Sequence, residues 1–373
     1  MMEHRHGPSR MVALAVILVL AAGLPLAAQQ VGRIVYLEGD VQLLRDGESR
    51  GGFAIAEGEP LLEMDILQTG FDGYVEVELS VPSQTTVRVR ENSAYYIEIE
   101  GAAAGQTSRL RLLNGRVEMA VSQISRGSGL VVDTQTAVLG VRGTEFDVIL
   151  APDEATLFGI REGEVAIRSA GEDLVASAGT AVESFADRRP RTQEIPPAEL
   201  PQYYAQWTET RLQAFRSGAQ TFVRAYALRY QDTVGAFRDA YRDLMNYRQD
   251  LEQAVTNDSG TLGSDMRLRA EISPALIRMR SILPVFETTV YRLRELRRFH
   301  DQGLGRTTIG DQSSTVFFRQ FAEAEPELLT QLSAVRGVFR LYRQVEERSF
   351  GGLPGDEDGP FSSGESLLDS MRF

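Results

Sequence analysis

Apolar and polar residues alternate in short bursts from residue 31 to about residue 185. Val75, Val77 and Leu79 form one burst, Val117, Met119 and Val121 another, and Val165 and Ile167 a third. A period of two marks a strand with one buried face. Turn residues separate the bursts, among them Asp46 with Gly47 and the pair Gly70 and Gly73. Asp-Gly favours the positive φ of a hairpin turn. Strands this short and regular predict an all-β domain over 29–186, built as a sandwich, a barrel or a solenoid.

One local pattern recurs. Gly39, Val41 and Leu43 repeat as Gly115, Val117 and Met119, and again as Gly163, Val165 and Ile167, with polar or small residues between. A glycine entering a strand with one buried face accounts for all three. Their unequal spacing argues for a reused strand entry and against a solenoid period.

The pattern changes after residue 186. Residues 187–200 are charged, proline-rich and non-periodic, as in a linker. From 201 to 349 apolar residues step by three or four, which predicts an all-α helical bundle or coiled hairpin. The first segment runs over about 201–257, with Leu212, Phe215, Ala219, Phe222, Tyr226 and Tyr230 on one face in near-heptad spacing. The second covers about 264–299 and should break or kink at Pro274 and Pro284. The third covers about 314–347, with a bend at Pro326. The aromatic stripe reads as core, and Arg and Asp/Glu on the other faces, such as Arg238, Asp239, Arg242 and Asp243, read as solvated. Trp207, the single tryptophan, is expected to cap the bundle.

The ends read differently. His4, Arg5, His6 and Arg10 precede an apolar run over 11–20, broken by Gly23 and Pro25, which suits a signal peptide over 1–28 cleaved before Gln29. An uncleaved anchor is the alternative. The tail, 350–373, is acidic and non-periodic and is expected to be disordered. Its Asp356, Glu357 and Asp358 lack the spacing of a calcium loop.

Composition narrows the chemistry. The net charge is −13, and losing residues 1–28, with two arginines and one glutamate, leaves −14. Such a chain should repel nucleic acid and anionic membranes. Cysteine and lysine are absent, which excludes thiol catalysis, thiolate metal sites and lysine chemistry. Beyond the leader only His300 remains, expected as a cation at a helix C-terminus. No catalytic, metal or cofactor-binding residue is assigned.

The stretch 136–148 organises the β region. It runs Thr-Ala-Val-Leu-Gly-Val-Arg-Gly-Thr-Glu-Phe-Asp-Val, a strand, a bend and a strand. Gly140 and Gly143 flank Arg142 and permit a bend or a close approach. Thr144, Glu145 and Phe146 follow. Arg142 is either braced by Glu145 or Asp147 in a buried bend, or free to recognise a carboxylate or phosphate on a partner. Glu145 and Asp147 share a strand face, so a carboxylate pair for glycan cleavage is a third use.

This stretch resembles the hallmark of the FecR domain family. So do Gly70 to Leu79 (Gly-Phe-Asp-Gly-Tyr-Val-Glu-Val-Glu-Leu), Leu110 to Val117 (Leu-Arg-Leu-Leu-Asn-Gly-Arg-Val) and Gly163 with Val165, in that family's order. The resemblance covers about residues 31–185. It implies a periplasmic all-β domain of the kind found in transmembrane sigma-factor regulators and in many exported proteins. It implies no catalytic residues. Ten residues precede the apolar run, so a cytoplasmic sigma-handling arm is not expected. The expected role is an exported, non-enzymatic envelope binding or scaffold protein. Its partner would be an envelope protein or glycan, with a homo-oligomer through the helical region as a further contact. The alternative is a membrane-anchored sensor, with membrane contact only if residues 1–28 persist.

Overall fold

The computed structural model describes residues 30–80, 84–100, 107–122, 129–256 and 262–350. The expected leader and acidic tail lie outside the described residues. The alternating half forms β1 (Gln30–Glu38), β2 (Val41–Arg45), β3 (Glu48–Gly51), β4 (Pro60–Leu62), β5 (Ile66–Thr69) and β6 (Tyr74–Leu79). It continues with β7 (Thr85–Val89), β8 (Ala94–Glu100), β9 (Thr107–Asn114), β10 (Arg116–Val121), β11 (Gly129–Asp133) and β12 (Ala137–Val141). It ends with β13 (Glu145–Leu150), β14 (Thr156–Glu162), β15 (Glu164–Ser169), β16 (Glu172–Ser177), β17 (Thr180–Ser184) and β18 (Arg191–Glu194).

These strands build two open sheets of nine. The first has the order β18-β17-β14-β13-β10-β7-β6-β1-β4, the second β16-β15-β12-β11-β9-β8-β5-β2-β3. Neither closes, so the barrel falls away. The chain passes back and forth between the sheets while advancing along them, which combines the sandwich with a solenoid-like progression. Pairing is antiparallel except between β9 and β11. Ile34, Val77, Val117 and Phe146 of the first sheet meet Leu43, Leu67, Leu110 and Leu139 of the second in one core.

The recurrent glycine pattern now has a physical cause. Gly39, Gly115 and Gly163 have φ of 69°, 86° and 76°. Each lies where the chain leaves one sheet for the other, at β1–β2, β9–β10 and β14–β15. A one- or two-residue crossing needs the left-handed conformation that glycine adopts without strain. The valine and the apolar residue that follow each glycine enter the sandwich core.

The helical half forms α1 (Leu200–Met245), α2 (Arg248–Thr256), α3 (Leu262–Asp301) and α4 (Ser314–Phe350). A small hairpin, β19 (Thr308–Ile309) and β20 (Gln312–Ser313), joins α3 to α4. Of the break or kink expected at Pro274 and Pro284, no break occurs, since both lie inside α3, and Pro326 likewise lies inside α4. An interior proline costs about 3 kcal/mol of helix stability. Burial of Ile272, Leu276, Leu283 and Phe286 around the first two, and of Leu328 and Leu332 beside the third, offsets it. The linker is also shorter than 187–200. Arg191–Glu194 pairs with β17 as an edge strand, and Pro197–Glu199 forms a 3-10 turn before α1.

The second sheet is buried on both faces along β2, β5, β8 and β9. Its outward residues Leu44, Ile66, Tyr96 and Leu113, with Met64 just before β5, share one core with the helices. Over most of the helical half the order of layers is first sheet, second sheet, helices, while the first turns of α1 lie on the outer face of the first sheet. The aromatic stripe of α1 supplies core, as expected: Phe215, Tyr226 and Phe237 are buried, and the Phe237 and Phe286 rings stack with centroids 4.0 Å apart.

Candidate functional site

The stretch 136–148 spans β12, a crossing and β13. Gly140 lies within β12, buried, opposite Val131 and Ala166. Gly143, at φ 64°, makes the crossing. Thr144 is buried, and its Cγ2 would lie 2.6 Å from a Cβ placed on Gly163. Phe146 is fully buried core. Gly140, Gly143, Thr144 and Phe146 therefore build the fold. Glu145 is half-buried beside an open acidic groove that it shares with Glu78 and Glu162.

Arg142 is exposed and makes no hydrogen bond or ion pair among the described residues. The expected brace to Glu145 or Asp147 does not form, because strand register places other arginines beside Asp147. Residues 146 and 148 face the core, so Asp147 points to the outer face of the first sheet. There Arg161 of β14 donates to both its oxygens at 2.8 Å, and Arg116 of β10 donates to Oδ1 at 3.1 Å. Tyr204 of α1 donates to Oδ2 at 2.9 Å. Asp147 is fully buried and saturated with donors. Glu145 and Asp147 are thus not available as an acid–base pair. Neighbouring Glu118 is held by Arg90 and Arg116.

This cluster was readable only in part. Outward positions of the period-two strands carry charge, as at Arg88 and Arg90, Arg116 and Glu118, Asp147 and Arg161. The helix that covers one end of the row is not visible in that pattern. Tyr204 lies across β14 so closely that a Cβ on Gly159 would overlap its hydroxyl. Burial, with Asp147 adding to it, pushes the Tyr204 hydroxyl well above its ordinary range. Trp207 does not cap the bundle. It packs on Ile149, Leu157 and Phe185 of the β region and donates Nε1 to Glu183 at 2.8 Å. The first turns of α1 are therefore fastened to the first sheet.

A second junction runs along α4. Arg336, Arg340 and Arg343 lie on one helical face and all are buried against the second sheet. Arg336 pairs with Glu287 at 2.5 Å, and its guanidinium sits 3.3 Å from the Tyr96 ring centroid. Arg340 donates to the Glu63 carbonyl at 2.8 Å and pairs with Asp46. Arg343 bridges Glu63 and Glu98. The sequence pattern predicts a solvated arginine face. That holds for Arg238 and Arg242 of α1 and fails for α4, where the β region supplies the carboxylates.

His300 lies in the last turn of α3, as expected, yet its surroundings disfavour the expected charge. It is buried, 4.7 Å from the Phe318 ring centroid, with Nε2 at 2.9 Å from the Ser314 hydroxyl. That hydroxyl also accepts from the Thr307 amide at 3.0 Å. Burial lowers the imidazole pKa, which disfavours the charged ring.

The outer face of the first sheet is bare at its other end. A register shift between Ile34 and Tyr36 in β1 turns Tyr36 outward, 44 % exposed, beside Tyr74 with ring centroids 5.9 Å apart. Phe71, 84 % exposed, caps the turn before β6. That turn is tightly built: the Gly70 amide donates to the Asp40 carbonyl at 2.7 Å, and the Asn92 amide to the Gly70 carbonyl at 2.8 Å. Any Cβ on Gly70 or Gly73 would overlap Asp40. With Glu38, Asp72, Arg90 and Glu91 these aromatics line an open groove of about 560 Å³. Among the described residues no cluster of His, Cys, Asp and Glu could hold a metal, and no helix is long and apolar enough to cross a membrane.

Two crystal structures of a candidate anti-sigma factor from Parabacteroides distasonis ATCC 8503, at 1.65 Å and 2.50 Å, are similar to part of the chain at 14% identity and a TM-score of 0.32. The first match covers 37% of this chain and 64% of that one, the second 36% and 62%. The chain thus spans less than two thirds of those structures. No curated protein matches it. Residues 65–166 match the model of the family described as FecR protein, inside the β region and across its central motifs, so the chain carries a FecR domain.

Proposed function

We propose that this chain is an exported, non-enzymatic envelope protein whose β region binds an envelope partner, protein or glycan, while its helices serve as a rigid scaffold. The observation that carries this reading is the aromatic surface at the edge of the first sheet, exposed Tyr36 and Phe71 beside half-buried Tyr74. Exposing such rings on a tightly hydrogen-bonded turn forgoes burial and suits a surface that a partner covers. Arg142, exposed and unpaired among the described residues, is a second contact available to a carboxylate or phosphate of that partner. The acidic balance of the chain directs it away from nucleic acid.

The test is co-sedimentation and pull-down with envelope fractions from the source cell, comparing the full chain with a Tyr36→Ala, Phe71→Ala variant. Both positions are exposed, so stability should stay within about 0.5 kcal/mol. Lost retention of partner at unchanged stability is the expected result. Equal retention by both proteins removes the surface from the proposal. The family match also supports an anchored extracytoplasmic sensor. A mature start at Gln29 in the soluble envelope fraction excludes that sensor, and an intact residue 1–28 segment in the membrane fraction replaces the scaffold with it.

A further inference from the structure

Between the second sheet and the helices lies a cleft of about 620 Å³, within the range of small-molecule sites. β9 contributes Arg111, the β11–β12 turn Gln135, the β13–β14 turn Glu154, and α1 Tyr226 and Arg229. Its acceptors are engaged. Asp133, behind it, accepts from Arg111 at 2.8 Å, Glu154 accepts from the Tyr226 hydroxyl at 2.5 Å, and the Gln135 oxygen faces Arg292 at 3.4 Å. Its donors are not all engaged. Gln135 Nε2 and Arg111 Nε are buried without an acceptor among the described residues. Arg229 lies over the Tyr226 ring, 4.8 Å from its centroid, and pairs with no carboxylate among the described residues. Buried polar atoms without partners are rare and mark a place for a missing acceptor. Glu154 adds a second sign of a built site, because it holds φ 71°, a strained conformation for a residue with a side chain.

We propose that this cleft binds a small molecule with one carboxylate on an apolar body. Arg229 provides one uncompensated cation, and Gln135 and Arg111 provide N–H groups for the two oxygens. The Tyr226 ring and Val285, the latter 49 % exposed, provide apolar wall. A dianion such as phosphate meets the nearby carboxylates of Asp133 and Glu154 and is disfavoured. The ligand would touch β9, α1 and α3 together and so bridge the two halves of the chain.

The experiment is calorimetric titration of the full chain with acids of rising apolar size, from acetate to 3-phenylpropionate, against 3-phenylpropionamide and inorganic phosphate. The larger acids should saturate at one site, with the amide and phosphate about tenfold weaker or more, the loss of roughly 1.4 kcal/mol. Arg229→Gln, an exposed change that leaves the fold intact, should weaken the acid by a similar factor, and Gln135→Leu should weaken it in the same direction. The proposal is overturned if no acid saturates, if acid and amide bind equally, or if Arg229→Gln binds as the parent does.

Discussion

Tyr204 donates its hydroxyl to Asp147 at 2.9 Å, from the start of the helical half to the centre of the FecR domain. The same ring fills the space that a side chain at Gly159 would need. The glycine, the carboxylate and the tyrosine thus form one joint, built from two strands and a helix.

The joint predicts strong coupling. Gly159 lies in an extended strand, where alanine is otherwise acceptable. Gly159→Ala should displace the phenol, leave Asp147 short of one donor and cost about 2–3 kcal/mol. With Tyr204→Ala already present, the added cost of Gly159→Ala should fall below about 1 kcal/mol. Urea denaturation of the four proteins of the cycle measures the difference. Additive effects would show that the ring does not constrain Gly159.

Glu287 and Arg336 are both about 2 % exposed at the side chain and compensate each other. Glu287→Gln leaves a buried guanidinium without its counter-charge and should cost about 3–5 kcal/mol. A Glu287→Leu, Arg336→Met double variant removes both charges and should recover most of that loss. Denaturant midpoints decide the matter. A double variant as unstable as the single one would refute the charge argument.

His300 predicts a pH dependence with a definite sign. Burial holds its pKa below the ordinary 6.5. The unfolded chain then binds the proton at a higher pH than the folded chain does. The contribution of His300 to stability is complete above about pH 6.5 and is lost as pH falls from there toward the lower folded pKa. His300→Gln should flatten this part of the stability profile, recorded by denaturant titrations between about pH 7.5 and about pH 5. A parent profile unchanged by the substitution would assign the dependence to other groups.

Two glycines with the same φ separate strain from collision. Gly58 and Gly115 both have φ 86°. Nothing lies within 4 Å of a Cβ at Gly58, whereas a Cβ at Gly115 meets the Cα of Ser93 at 2.5 Å and its hydroxyl closer still. Gly58→Ala should cost about 1–2 kcal/mol, the strain alone. Gly115→Ala should cost more, by about 1–3 kcal/mol of overpacking. Thermal melts of the two variants give the order, and an equal loss would contradict the crossing geometry.

The periods of the sequence determined the two halves, since alternation by two or by three to four is set by the local geometry of strand and helix. The repeated glycine before Val41, Val117 and Val165 likewise marked where strands begin, because φ is a property of one residue. The FecR resemblance rested on such local motifs, and the family match falls on the same strands. Tertiary structure alone decided which charges meet. Asp147 takes Arg116, Arg161 and Tyr204 in place of Arg142 because register and a helix 57 residues away bring them to it. Arg336 and Arg343 have the pattern of a solvated helix face, and a sheet more than two hundred residues earlier in the chain covers them. Trp207 changed neighbours for the same reason. Local periodicity says which way a side chain points, but the surface it meets depends on distant segments whose arrangement minimises the free energy of the whole chain.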